Sequence, residues 1–303
     1  MEYLTLNRES RPLADSELRT FPIAYGCWRF AGTGVSEARA KVEAALDCGM
    51  NLFDHADIYG DGAAEDLFGR VLAESPSMRD RMLIATKGGI VKGLPYDSSK
   101  EHLIMAAEAS LRRLRIDVID LYQIHRPDLL AHPEEVAEAF VILRESGKIR
   151  EAGVSNYWTS QVDSLQAFLP FDLVSNQVEI SAWELSCFRD GTLDQCITRG
   201  MTPLAWSPMA KGLIGAEPQE TDSPESSRLV DLLHVMDSLA EREGVNRCAV
   251  ALAFLLVHPA GIVPIIGTQR IERIRASIDA FRVKLTRRDW YAIFAASQGA
   301  AMP

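Results

Sequence analysis

The sequence lacks paired cysteines. Five cysteines are spread over 303 residues, with no Cys-x-x-Cys pair and no spacing typical of a zinc finger. Such isolated thiols are typical of buried or incidental positions in a reducing compartment, and they exclude a disulfide-stabilised scaffold.

Long hydrophobic runs and an excess of positive charge are also missing. The most apolar stretch, residues 249–257, is interrupted by His258 and Pro259, well short of the roughly 20 residues that span a bilayer. The first residues carry acidic and polar groups where a secretory signal would be apolar. A net charge of −10 argues against nucleic acid or an anionic membrane as the main partner. We therefore expect a cytoplasmic protein.

What the sequence has instead is one unit that recurs along the chain: a short apolar strand, a loop and an amphipathic helix. No low-complexity linker divides it, so residues 1–303 are predicted to form a single domain. Eight such units predict an all-parallel sheet closed into a (β/α)8 barrel, and an open doubly wound sheet is the alternative. Residues 1–16 are expected to cover the bottom of the barrel. The predicted strands are residues 20–27, 51–53, 81–86, 118–124, 149–154, 172–178, 201–206 and 261–266.

The predicted helices follow the strands at regular intervals. Pro133 suits the first position of one of them, and Thr286 with Asp289 forms a capping-box pattern that begins the last. Residues 211–223 form the one loop-rich insertion. The other helices are predicted at residues 36–48, 63–73, 98–114, 158–168, 185–199, 228–243, 247–257 and 271–280.

Polar, charged or aromatic residues end seven consecutive predicted strands. In a (β/α)8 barrel these carboxyl ends share one face, where the chemistry of such enzymes takes place. Each residue alone has an ordinary structural explanation, such as a helix cap for Asp54 or the core for Trp206. Together at one rim they predict an active site. The residues are Asp54 with Tyr59 soon after it, Lys87, His125, Ser155 and Asn156, Gln177, Trp206 to Pro208, and Gly267 with Thr268.

Four of these residues suit acid catalysis on a carbonyl group. A phenol has an unperturbed pKa of about 10, so Tyr59 becomes a useful acid at neutral pH only beside a cation. Lys87 would supply that cation and lower the pKa of Tyr59, while Asp54 would hold the ammonium in place. His125, if neutral, would donate a hydrogen bond that orients the carbonyl oxygen.

The remaining rim residues suit a nicotinamide cofactor. Trp206 offers a flat face for an aromatic ring, and Ser155, Asn156 and Gln177 can hold a carboxamide. A carbonyl protonated by Tyr59 also needs a hydride, which protein side chains cannot supply and a nicotinamide can.

This set of residues resembles the aldo-keto reductase superfamily over nearly the whole chain. The motifs occur in order: Asp54 and Tyr59 within Asp-x-Ala-x-x-Tyr-Gly, Lys87, His125, Gly153-Val154-Ser155-Asn156, Gln177, Ser207-Pro208 and Gly267-Thr268. The resemblance implies a (β/α)8 barrel and NADPH-dependent reduction of an aldehyde or ketone. It also implies a catalytic tetrad of Asp54, Tyr59, Lys87 and His125, with Tyr59 as the acid.

The resemblance further implies where the cofactor binds. Ser155, Asn156 and Gln177 would hold the nicotinamide amide and Trp206 would stack on its ring; Trp206 stands where many members have tyrosine or phenylalanine. Ser207 to Lys211 would line the pyrophosphate. The predicted cofactor-binding residues are Gly26, Trp28, Asp54, Ser155, Asn156, Gln177, Trp206, Ser207, Pro208, Met209, Ala210, Lys211, Gly267, Thr268, Arg273 and Ser277.

Cofactor choice and substrate contacts follow from position. Arg270 and Arg273 share a face near the amino end of the last barrel helix, which favours a 2′-phosphate and hence NADPH over NADH. Tyr59 and His125 are predicted to contact the substrate, and Trp28, Tyr157 and Trp183 to line its pocket. The physiological substrate and the oligomeric state are left open by the sequence.

Two motifs point elsewhere. Gly32-Thr33-Gly34 lies between a strand and a helix, as in a dinucleotide-binding Rossmann unit, but Glu37 occupies the third glycine position and would repel a pyrophosphate. His55 and Asp57 suggest two ligands of a metal, but the nearby Lys87 would repel a cation, so no metal is expected.

Two other functions remain as alternatives to a carbonyl reductase. A lyase would use Lys87 to form a Schiff base with Tyr59 as proton shuttle, but would leave Trp206 and Gln177 unexplained. An NADPH-binding, redox-sensing partner module would keep the tetrad with little turnover.

Overall fold

Eight parallel strands form a closed barrel in the computed structural model, which describes residues 2–217 and 223–302. The strands follow one another around the barrel in chain order, and the last pairs with the first through Ile266 and Tyr25. This closed parallel sheet confirms the predicted (β/α)8 fold. The alternative of an open doubly wound sheet is wrong, and with it the Rossmann interpretation of Gly32-Thr33-Gly34.

The strands of the described residues are short, and two hairpins accompany the barrel. β1 pairs with β2 ahead of the barrel, and β6 pairs with β7 on the loop that leaves β5. The strands are β1 (Arg11–Pro12), β2 (Arg19–Thr20), β3 (Ala24–Gly26), β4 (Leu52–Asp54), β5 (Leu83–Gly88), β6 (Ile90–Val91), β7 (Leu94–Tyr96), β8 (Ile119–Ile124), β9 (Ile149–Ser155), β10 (Ser175–Glu179), β11 (Thr202–Trp206) and β12 (Val263–Ile266).

The helices surround the barrel; α3, α4, α6 and α8 pack against strands, and α10 packs on α7. Their ends follow the sequence signals: Pro133 begins α4, and Thr286 caps α10 by accepting a hydrogen bond from the Asp289 N–H at 3.2 Å. The helices are α1 (Val35–Asp47), α2 (Ala63–Glu74), α3 (Lys100–Leu114), α4 (Pro133–Glu145), α5 (Thr159–Gln166), α6 (Thr192–Arg199), α7 (Pro224–Glu243), α8 (Arg247–Leu256), α9 (Ile271–Ala276) and α10 (Arg287–Gln298).

The amino-terminal hairpin covers the bottom of the barrel, as expected of that segment, whereas Leu4 pairs with Leu285 and residue 1 lies outside the described residues. Leu13 and Leu18 are buried and pack with residues from the barrel interior, such as Leu121. The backbone N–H of Ala14 donates to Thr202 Oγ1 at 2.8 Å, and Thr202 begins β11. The amino ends of the strands are therefore closed, which leaves the opposite rim for a binding site.

The structure departs from the prediction where glycine or a hairpin interrupts the pattern. The predicted helix 185–199 divides into a 3-10 turn at Ser186–Phe188 and α6, because Gly191 adopts a left-handed φ of 87° between them. The predicted strand 20–27 is divided because Thr20 pairs with Arg11 in the hairpin. Of the predicted insertion 211–223, residues 218–222 lie outside the described residues. None of the described helices is long and apolar enough to cross a membrane.

Candidate active site

The predicted rim residues surround one long cavity of about 850 Å³. This volume is near the upper end for small-molecule sites, which suits a large ligand. Its lining includes Tyr59 and His125 as well as Arg273 and Ser277. The predicted residues that line it are Gly26, Trp28, Asp54, Tyr59, His125, Ser155, Asn156, Gln177, Trp206, Ser207, Pro208, Met209, Lys211, Gly267, Thr268, Arg273 and Ser277.

A buried ion pair lies beneath the Tyr59 end of the cavity. Lys87 Nζ is 2.7 and 2.8 Å from the two carboxylate oxygens of Asp54, and it also donates to the His55 carbonyl oxygen at 2.7 Å. Its fourth oxygen neighbour is Tyr59 Oη at 3.4 Å. Lys87 itself is fully buried. It therefore acts on the cavity through Asp54 and Tyr59, which do line it.

The protonation of this cluster differs in one respect from the expectation. Burial raises the pKa of Tyr59 above its ordinary value, and the neighbouring Lys87 lowers it only in part. The expectation of a net lowering is wrong, because desolvation of the phenolate outweighs the ammonium. Burial opposes the charge of Lys87, but Asp54 and Tyr59 nevertheless raise its pKa. The cluster thus holds a protonated phenol beside a charged ammonium.

His125 is neutral. Burial lowers its pKa to about 2, assisted by the positive charges of Lys87 and Arg126. Its ring lies edge-on to Tyr59, with the two centroids 5.9 Å apart and the planes at 84°. A neutral imidazole carries one N–H donor. The Tyr59 hydroxyl and that donor thus come from adjacent rings at one end of the cavity.

A chain of hydrogen bonds connects the ion pair with the middle of the cavity. Gln177 Nε2 donates to Asp54 Oδ1 at 2.8 Å, and Ser155 Oγ donates to the Gln177 carbonyl at 2.8 Å. Asn156 Nδ2 donates to Ser155 Oγ at 2.8 Å, and Trp206 Nε1 donates to Asn156 Oδ1 at 3.0 Å. These contacts hold the side chains of four different strand ends in fixed positions along one wall.

The backbone of this wall is strained. Asn156, Ser207, Ala210 and Lys211 adopt positive φ values of 59°, 51°, 49° and 57°, although none is a glycine. Such conformations are costly and gather at functional sites, where the surrounding structure enforces them. On the facing wall, a Cβ at Gly267 would lie 2.8 Å from Trp28 Nε1, so only glycine lets that indole approach.

The sequence did not reveal several residues at the far end of the cavity. Asn246, Arg247 and Cys248 line it from the start of α8. Arg247 pairs with Asp237 at 2.5 Å and donates to the Ile214 carbonyl at 3.2 Å, which fixes the 3-10 turn Ala210–Gly215. These residues begin a helix, so they do not follow an apolar strand, which was the pattern used to predict the site. The asparagine cap of α8 was the only local pattern that could have marked them.

Four predicted contacts lie away from the cavity. Ala210 belongs to the predicted pyrophosphate segment, Ser207 to Lys211, but its side chain is buried and does not line the cavity. Tyr157 borders a separate cavity of about 190 Å³ beneath α4 and α5, because its side chain faces the helix layer. Trp183 packs under the guanidinium of Arg228 at 3.8 Å, and Arg270 pairs with Glu272 on the surface.

Comparison with known proteins supports one family. The model of the aldo/keto reductase family matches residues 22–298. A 6-dehydroglucose reductase of Novosphingobium aromaticivorans is 45% identical, with all of both chains covered. A second protein of that name, from Agrobacterium fabrum, is 37% identical over 91% of this chain and 94% of its own. The structure of the thermostable aldo-keto reductase Tm1743 in complex with the inhibitor epalrestat aligns with a TM-score of 0.83 over 95% of this chain and 99% of its own. At 23% identity, that last likeness shows the fold.

A second acidic residue, Asp57, lies close to the ion pair, and its backbone N–H donates to the Lys87 carbonyl oxygen at 3.1 Å. Burial raises its pKa to about 7, and the nearby carboxylate of Glu65 contributes. Glu65 is itself fully buried and paired with Arg113 at 2.7 Å. Asp57 Oδ1 is buried and has no hydrogen-bond partner among the described residues. An ionised Asp57 is therefore unfavourable in the folded state.

We predict that Asp57→Asn stabilises the protein more at alkaline than at acidic pH. The pKa of Asp57 is about 7 in the fold against an ordinary 3.8, so wild-type stability falls as pH rises between those values. Asparagine has no such dependence. The free energy of unfolding of the variant minus that of the wild type, both measured by urea denaturation, should increase by about 2 kcal/mol from about pH 5 to about pH 8. The exposed Asp172→Asn is the control, and an equal gain at both pH values would contradict the prediction.

Proposed function

Because this chain belongs to the aldo/keto reductase family, we propose that it reduces aldehydes or ketones with NADPH and uses Tyr59 as the acid. Membership of this family makes the protein an oxidoreductase. Members of the family use nicotinamide cofactors and small carbonyl substrates. The observation that carries the finer proposal is the Tyr59 hydroxyl, which lies 3.4 Å from a buried ammonium and belongs to a residue that lines a cavity of about 850 Å³.

The residues present fit a nicotinamide. The strained wall presents Asn156 and Gln177 amides beside the indole of Trp206, and the cavity continues past Ser207 to Arg273. When bound, the cofactor supplies the hydride. The protein's own residues bind and orient it and manage the proton.

Proton transfer follows from the buried cluster. The raised pKa of Tyr59 keeps its hydroxyl protonated until a carbonyl oxygen develops negative charge. As the proton leaves, Lys87 stabilises the phenolate, and Asp54 keeps the ammonium charged and in place. The neutral His125 donates a hydrogen bond that fixes the carbonyl oxygen near Tyr59. Each of the four residues thus has a distinct task in one step.

The cofactor is proposed to be NADPH on account of Arg273. Arg273 lines the same cavity as Tyr59, and it pairs with no carboxylate in the described part of the chain. An unpaired arginine suits a phosphate, to which it can donate two parallel hydrogen bonds. Arg270, the other predicted arginine, is engaged by Glu272 outside the cavity.

The substrate is proposed to be a sugar that carries an aldehyde. Two relatives that align with nearly the whole chain are named 6-dehydroglucose reductases. The cavity that Tyr59 lines is also lined by Trp28, Arg29, Arg126 and Trp206, which gives it both apolar faces and hydrogen-bond donors. This mixture suits a molecule with many hydroxyl groups.

The alternative of a Schiff-base lyase is less well supported. A nucleophilic lysine needs an uncharged amine at working pH, whereas the pKa of Lys87 is raised and its ammonium contacts three oxygens of Asp54 and His55. Borohydride in the presence of a carbonyl substrate should accordingly leave Lys87 unlabelled.

Tyr59→Phe is expected to lower the rate of carbonyl reduction by about 100-fold or more, because it removes the general acid. NADPH affinity, measured by fluorescence titration, should stay close to that of the wild type. Tyr291→Phe, at an exposed tyrosine on α10, is the matched control and should retain full activity. Retention of more than about a tenth of the wild-type rate by Tyr59→Phe would exclude Tyr59 as the acid.

Tight NADPH binding without turnover in the wild type would favour the redox-sensing partner module.

Arg273→Ala is expected to weaken NADPH binding by roughly 10- to 100-fold, the cost of losing a hydrogen bond to a charged group, and to change NADH binding little. Arg270→Ala, three residues earlier and outside the cavity, is the control. Nicotinamide fluorescence with each cofactor measures both constants. Equal losses for NADPH and NADH would show that Arg273 does not contact the 2′-phosphate.

A further inference from the structure

We propose that Arg126 determines substrate specificity by binding hydroxyl groups on carbons close to the reacting aldehyde. This inference rests on the proposed function and names a residue that selects among its substrates. Arg126 directly follows His125 at the carboxyl end of β8, and it lines the same cavity as Tyr59.

The position of Arg126 places its guanidinium at the reacting end. Its charge contributes to the lowered pKa of His125, so the two side chains are close. Its guanidinium carbon lies 5.7 Å from the centroid of the Trp206 ring, on the wall assigned to the nicotinamide. A substrate whose carbonyl oxygen is held by His125 and Tyr59 would therefore have its neighbouring carbons within reach of Arg126.

The hydrogen-bonding capacity of Arg126 is unused by the protein. It is half-buried, yet it forms no ion pair and no hydrogen bond with any residue in the ranges 2–217 and 223–302. Two other half-buried arginines are paired, Arg79 with Asp120 at 2.8 Å and Arg113 with Glu65 at 2.7 Å, whereas Arg228 over the Trp183 ring lacks an ion pair among the described residues, as Arg126 does. A guanidinium has five N–H donors, and leaving them unmatched in a site closed by substrate is costly.

The surroundings of Arg126 favour hydroxyl groups over an anion. Lys211, the other cation over the Trp206 ring, is neutralised by Glu179 at 3.1 Å, so Arg126 is the one unpaired cation over that ring among the described residues. The lining of the same cavity also combines a planar donor with an indole face at another place, where the Arg29 guanidinium lies 4.3 Å from the centroid of the Trp28 ring. A sugar presents apolar C–H faces to such rings and hydroxyl groups to such donors. A site built for those hydroxyls discriminates strongly against an analogue that lacks them.

The test compares three aldehydes in the holoenzyme: the 6-aldehyde of glucose, hexanal, and the anionic succinic semialdehyde. For the wild type, kcat/KM should be highest with the sugar aldehyde. In Arg126→Met the ratio of kcat/KM for the sugar aldehyde to that for hexanal should fall at least ~10-fold, mainly through KM. Arg126→Lys keeps the charge but loses the planar fork, and it should recover only a small part of the ratio. Arg70→Met, on the exposed surface of α2, is the control.

Two results would overturn the assignment while leaving the proposed function intact. One is a ratio in Arg126→Met within about twofold of the wild type while both aldehydes are still reduced. The other is a wild-type preference for succinic semialdehyde that Arg126→Lys preserves, since that pattern belongs to an anion site. A wild-type protein that reduces none of the three aldehydes would overturn the proposed function together with this inference.

Discussion

The candidate site depends on a charge that the fold buries. Lys87 has no contact with solvent, and its ammonium is matched by the Asp54 carboxylate and the His55 carbonyl. An unmatched charge in that place would be strongly destabilising, so the two strands that carry the pair have to meet in one register. In that register Asp54 lies beside Ala85, two residues before Lys87. The ion pair also holds two other side chains in position. The Lys87 ammonium donates to the Tyr59 hydroxyl, and the Gln177 amide donates to the Asp54 carboxylate.

The barrel brings distant parts of the chain to this charge. Because all eight strands run in the same direction, each one delivers its last side chains to the same rim. The amino-terminal hairpin closes the opposite end with Leu13 and Leu18, so the rim is the open end of the barrel interior. One cavity at this rim is lined both by Tyr59, whose hydroxyl lies beside the buried ammonium, and by Arg273.

Much of this arrangement could be predicted from the sequence. Strand ends are visible as apolar segments that finish in Asp54, Lys87 or His125, and the parallel barrel then determines that these residues meet. Side-chain direction was harder to predict. Tyr157 follows β9 just as Asn156 does, but its ring enters the helix layer. Arg247 and Cys248 come from a helix start, where the Asn246 cap was the only local pattern that could have marked them. The net pKa of Tyr59 was predicted in the wrong direction because desolvation depends on tertiary burial.

The central claim is that the Lys87 ammonium acts on the Tyr59 proton. The most direct measurement is the pKa of Tyr59 itself, from the phenolate absorbance of the wild type minus that of Tyr59→Phe, repeated in a Lys87→Met background. Loss of the ammonium should raise the pKa of Tyr59 further, because Lys87 is the principal group that lowers it. A pKa of Tyr59 that stays unchanged or falls when Lys87 is replaced would contradict the account.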